Sequence, residues 1–90
     1  MYNIQLDLRV EIFMEGDVYV ALSPELNVSS YGQSVEDARH SLIEAVEAFI
    51  GECAEMGTLD DVLEESGFTK YKHVWHSRQA VKEEYLAVAV

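Results

Sequence analysis

Apolar and polar residues alternate strictly near the start of the chain. Ile4, Leu6, Leu8, Val10 and Ile12 stand against Gln5, Asp7, Arg9 and Glu11. This period of two belongs to a strand with one face on a core. Glu15-Gly16-Asp17 carries turn chemistry, with Gly16 suited to a positive φ, and predicts a hairpin loop of three or four residues. Val18 to Leu22 is a second strand, apolar along its length. Ser23-Pro24-Glu25 ends it, because proline has no amide to give to a ladder. Asn27 to Tyr31 is a short third strand, and the three strands form a meander.

The period then changes. From Ser34 to Met56, Val35, Ala38, Leu42, Val46, Phe49, Cys53 and Met56 recur at gaps of three and four, and Ala45 and Ile50 widen the stripe. Such spacing gives a helix with one apolar side, which needs the sheet to cover it. Ser34 is placed to cap its first turn, Glu36 and Asp37 sit at the positive end of its dipole, and Gly57 is suited to end it. Thr58 is placed to cap a second, short helix over Leu59 to Ser66, ended by Gly67. Residues 68–76 alternate again and predict a strand with Thr69, Tyr71, His73 and Trp75 on one face. Residues 77–82 fit either a turn or one helical turn. Glu84 to Val90, EYLAVAV, predicts a last strand.

The expected architecture is therefore α+β, an antiparallel sheet crossed by one long helix, with extra strands at the C-terminus. Residues 1–67 form a β-β-β-α unit with the short second helix. Residues 68–90 form a β extension that completes the sheet or pairs between subunits. An apolar strand at the edge of so small a body invites association. Tyr71, Trp75, Tyr85, Leu86 and Val88 are the candidate contacts of a homodimer or higher homo-oligomer.

Composition narrows the function. Ninety residues fit one domain, and a hydrophobic content of 49% argues against disorder. The single cysteine, Cys53, lies on the apolar stripe and reads as a buried small hydrophobe. Neither a signal peptide nor a membrane span is visible, so the expected location is cytoplasmic. The formal net charge is −11. It is unevenly spread: up to Gly67 two basic residues face fifteen acids, and from Phe68 onward four basic residues face two acids. An acidic surface repels phosphate backbones, which speaks against direct nucleic-acid binding; it suits a basic protein partner, and it equally serves solubility alone.

The candidate chemistry is sparse. His73 and His76 are expected on opposite faces of a strand, His40 is distant, and no four-ligand zinc pattern or calcium loop is present. The glycines are scattered singly, so no phosphate-binding loop is expected, nor any cofactor. Asp7 is the one carboxylate that a nuclease reading has to offer, and it would need further carboxylates and divalent metal. No catalytic residue is assigned.

One stretch carries a more specific pattern. The run GDVYVALSPELNVSSYGQSVEDARHSLIEAVEAFI resembles the HicB-family antitoxin domain. The matching positions are Tyr19, Val20, Ala21, Pro24, Glu25, Leu26, Gly32, Ser34, Glu36, Ala38, Leu42, Ala45 and Phe49, and the likeness covers about residues 4–67. The resemblance implies a β-β-β-α-β core, a partial RNase H-like fold without nuclease activity. It also implies a small basic mRNA-cleaving toxin as partner, neutralised by covering its RNA-facing surface. Many members carry a C-terminal DNA-binding module. Residues 68–90 are too few for a helix-turn-helix, so a stand-alone form without operator binding is expected. Glu36, Glu44 and Glu47 on the long helix and Asp60, Asp61 and Glu64 on the short one are the candidate partner contacts. A rival reading is an oligomeric adaptor or structural protein of the same fold with no toxin.

Overall fold

The computed structural model describes residues 4–90. The first three residues of the expected 1–67 unit lie outside the described residues. The chain is α+β, with one long helix packed against a strand layer. In chain order the elements are β1 (Gln5–Asp7), β2 (Glu11–Glu15), β3 (Val18–Ser23), β4 (Val28–Gly32), α1 (Val35–Met56), α2 (Leu59–Glu65), β5 (Thr69–Tyr71) and β6 (Val74–His76).

The first alternating run is one extended stretch divided between two sheets. β2, β3 and β4 form an antiparallel meander, and β1, β6 and β5 form a second sheet in that order. The alternation survives the break at residues 8–10, because Ile4, Leu6, Leu8 and Ile12 all pack against the core. The expected single strand over 4–12 is thus corrected to β1 and β2. β6 runs parallel to β1, with Leu6 opposite Trp75. The pairing extends past β6, where the Ser77 amide donates to the Asp7 carbonyl (3.0 Å) and the Arg9 amide donates to Ser77 Oγ (2.9 Å). The β2–β3 loop has two residues rather than three or four, since Glu15 pairs with Val18 and Gly16 takes φ 59°. A two-residue loop with positive φ at its first position matches the twist of a hairpin.

The caps of α1 follow its sequence. The Asp37 amide donates to Ser34 Oγ at 3.0 Å. At the other end Gly57 is left-handed (φ 73°), and the Gly57 and Thr58 amides donate to Ala54 and Cys53. That pair of bonds is a Schellman ending. Thr58 does not cap α2. Its hydroxyl turns back to the Cys53 carbonyl at 3.4 Å, so it closes α1 instead. α2 ends in the same way at Gly67 (φ 95°), where the Phe68 amide donates to Leu63 and both side chains enter the core.

The buried stripe of α1 is Ala38, Leu42, Val46, Ile50 and Cys53. It is rotated slightly from the expected one: Ile50 is buried and Phe49 half-buried, while the outer ends Val35 and Met56 are exposed. Ala21, Leu26, Leu63, Phe68 and Trp75 complete the core.

The expected strand over 68–76 is a tight hairpin. Tyr71 pairs with Val74, and Lys72 and His73 form its loop, both with positive φ (51° and 68°). Positive φ at both central residues is the type I′ geometry. The turn changes the phase of the alternation, so Trp75 shares a face with Lys70 and not with Tyr71. Left-handed backbone at non-glycine residues is strained. Lys72→Asn with His73→Gly supplies the residues this turn favours, and it gives up only an exposed Lys72–Tyr71 cation–π contact. The double variant is expected to stabilise the protein by about 1 kcal/mol, raising the melting temperature by roughly 4–8 °C in calorimetry.

Residues 84–90 are not a strand in the single chain, and residues 77–82 contain no helical turn. The expected last strand is corrected accordingly. The apolar residues of this segment, Val81, Tyr85, Leu86, Val88 and Val90, are all exposed.

Candidate interaction surface

α1 covers one face of the β2–β3–β4 sheet and turns its charged side outward. At 100° per residue Glu36, His40, Glu44 and Glu47 fall within one quadrant of the helix, and all four are exposed. Glu36 is engaged by Arg39 one turn on. Glu44 and Glu47 have no basic neighbour within ion-pair distance among the described residues. Asp60, Asp61 and Glu64 are exposed on α2, which follows the C-terminal end of α1. The six acids therefore form two groups, one along α1 and one beyond its end.

Asp60 and Asp61 suit the first turn of α2, but the glutamates at the two helix C-termini cost stability. A helix C-terminus carries partial negative charge, and a basic residue there is favourable by about 0.3–1 kcal/mol. Neither helix has a basic residue in its last turn. Glu52 and Glu55 stand there in α1, and Glu64 and Glu65 in α2. Nearby cations from outside the chain would be drawn to these ends.

The Pro24-Glu25-Leu26 segment has a structural explanation. Leu26 enters the core, and the Glu25 side chain is only 2% exposed while receiving Arg9 at 2.7 Å. Arg9 also reaches Glu11 at 2.7 Å. The bonds to Glu25 first and Glu11 second raise the guanidinium above its usual pKa, so it stays charged throughout the ordinary pH range. Residue spacing gave no sign of this network, since Arg9 and Glu25 approach only when β3 folds back on β2.

Asp7 lies at the end of β1 and meets His76 Nδ1 at 3.1 Å. Among the described residues no three His, Cys, Asp or Glu side chains group closely enough to hold a metal ion, so carboxylates do not gather around Asp7. His73 sits in the hairpin loop, not on a strand face, and Cys53 is buried. A shallow cleft of mixed charge runs between Asp7, Arg9, His76, Ser77, Arg78 and Glu83.

The candidate oligomer contacts separate into two kinds. Trp75 is buried in the chain's own core, where Lys70 Nζ lies 5.7 Å above its ring. Tyr71, Tyr85, Leu86 and Val88 are exposed. Sequence reasoning passed over a further apolar surface. Phe13, Val20 and Tyr31 are cross-strand neighbours on the face of the β2–β3–β4 sheet opposite α1, and Phe13 and Tyr31 are exposed. The signal for it was the run from Val18 to Leu22, which is apolar on both sides rather than alternating.

The molecule is thus a two-layer α+β domain with an acidic helical layer. No helix among the described residues is long and apolar enough to cross a membrane. Comparison with protein-family models, with curated proteins and with solved structures finds no match.

Proposed function

We propose that this chain is a HicB-like antitoxin of the cytoplasm that binds a small basic mRNA-cleaving toxin and covers its RNA-facing surface. The observation that carries the reading is the placement of acid. Glu44 and Glu47 face solvent on α1, and both helices end in uncompensated carboxylates. Such a surface imitates the phosphates that a basic ribonuclease holds, and complementary charge speeds and orients the encounter. The meander β2–β3–β4 leading into α1 and the local likeness of residues 16–50 support the same reading. The chain has no catalytic role in it: the antitoxin acts by occupying the toxin's surface.

The test is purification of the tagged protein from its native host at low salt. A stoichiometric small basic protein is expected to co-elute, and its affinity is expected to fall as salt rises. Charge reversal at Glu44→Lys and Glu47→Lys is expected to weaken that complex about tenfold, equivalent to about 1.4 kcal/mol. The fold is expected to stay intact, because both side chains lie on the exposed face of α1. If no basic chain co-elutes while the neighbouring gene is expressed, the antitoxin reading fails. The second reading, a self-contained oligomeric adaptor, is favoured by one observation, the exposed apolar C-terminal segment.

A further inference from the structure

We infer that the C-terminal segment of a second copy of this chain pairs on the open edge of β2, the two copies exchanging arms across a two-fold axis. This stands apart from the toxin reading and holds with or without a basic partner.

The first argument is surface. A compact monomer of 10.2 kDa exposes about 5,300 Å². This chain exposes 7001 Å². Its radius of gyration is 15.0 Å, where about 12 Å is usual for 90 residues. The excess, roughly 1,700 Å², exceeds the ~800 Å² that each partner loses in a standard interface and falls within the range of obligate dimers. Residues 78–90 are all exposed. Val81, Tyr85 and Val90 are 104%, 105% and 120% exposed, so their side chains touch nothing in their own chain.

The second argument is the match between arm and edge. Tyr85, Ala87 and Ala89 alternate with Leu86, Val88 and Val90, so this arm is apolar on both faces. A strand of that kind is stable only when covered on both sides. Four strands have an open edge: β1, β2, β4 and β5. β1 has only three residues, Gln5 to Asp7, with two charged or polar side chains exposed, and offers an arm little to pair with. β5 has three residues, all exposed, with Lys70 at its centre and Lys72 just after it, a short charged edge of the sort that resists pairing. β4 offers Ser29 and Ser30, and its last residue, Gly32, is pressed under α1. β2 has five residues and hydrogen-bonds only to β3. Its Phe13 and Met14 point to opposite faces and are 50% and 60% exposed. An arm laid along β2 gains backbone bonds and an apolar neighbour on each side. The fourteen residues after His76 reach about 46 Å when extended, which is ample to cross to a neighbour. A reciprocal exchange closes the assembly at two and leaves no free arm.

The ninety-residue chain is expected to run at twice 10.2 kDa by light scattering at micromolar concentration. Leu86→Asp with Val88→Asp is expected to halve that mass and leave the circular dichroism of the body unchanged, because both residues lie outside the core. Placing the photo-cross-linker benzoylphenylalanine at Phe13 in a mixture of isotope-labelled and unlabelled chains tests the site. Cross-links from position 13 to residues 84–90 of the other isotope are expected. A single-chain mass, a dimer unaffected by the double variant, cross-links confined to one chain, or cross-links that avoid the arm each overturn the proposal.

Discussion

Replacing Trp75 by alanine is expected to destabilise the protein by about 3–5 kcal/mol, the usual range for removing a buried tryptophan. Small domains hold about 5–15 kcal/mol in total, so a large part of the stability is at stake. The reason is architectural. The β1–β6–β5 sheet has strands of three residues each, too short to persist on backbone bonds alone. Trp75 is the buried residue of β6, opposite Leu6 on β1, and it shares the core with Leu63 and Phe68. Without the indole, β6 loses its hold on both β1 and α2. Urea titration followed by circular dichroism measures the loss, because the variant has no tryptophan to report by fluorescence. A loss below about 1 kcal/mol would show that the second sheet does not depend on this side chain.

Gly32→Ala is expected to cost about 3 kcal/mol, the upper end for overpacking. A Cβ at this position would lie 2.6 Å from the Ala38 amide nitrogen, 2.6 Å from Asp37 Cβ and 2.7 Å from the Asp37 carbonyl carbon. Two of these atoms are backbone in the first turn of α1, so relief requires moving the helix. Asp37→Gly removes only the side-chain contact and is expected not to rescue the variant. Gly16→Ala is the control. Nothing lies within 4 Å of its Cβ, and its cost is only that of a left-handed φ, about 1–2 kcal/mol. Thermal unfolding of the three variants separates the two effects: a loss at Gly32 no larger than that at Gly16 would mean that α1 shifts freely. Gly32 is one of the positions shared with the antitoxin-like pattern, and close packing of strand on helix is its physical reason.

Most of the helical layer was legible in the residues. The bounds of α1, the Ser34 cap and the glycine endings at Gly57 and Gly67 are set by neighbours within four or five positions, so local spacing finds them. The hairpin at Gly16 was legible for the same reason. The Lys72-His73 turn was not. Neither residue signals a left-handed backbone, and the turn is imposed by the docking of Trp75 and Phe68 on either side of it. The acids of the candidate surface were all found on the outside, as helical spacing requires. The open Phe13–Val20–Tyr31 face and the free edge of β2 emerged only with the pairing of the strands.

By itself the sequence determined the α+β class, the long amphipathic helix and the acidic character of its outer side, because each follows from periodicity or charge within a short window. The tertiary structure alone decided that the first strand splits between two sheets, that β6 returns parallel to β1, and that Arg9 meets both Glu25 and the Ser77 hydroxyl. It also decided that the last apolar segment finds no place in its own chain. These features join residues as far apart as Arg9 and Ser77, and no local pattern encodes which distant edge a strand will meet.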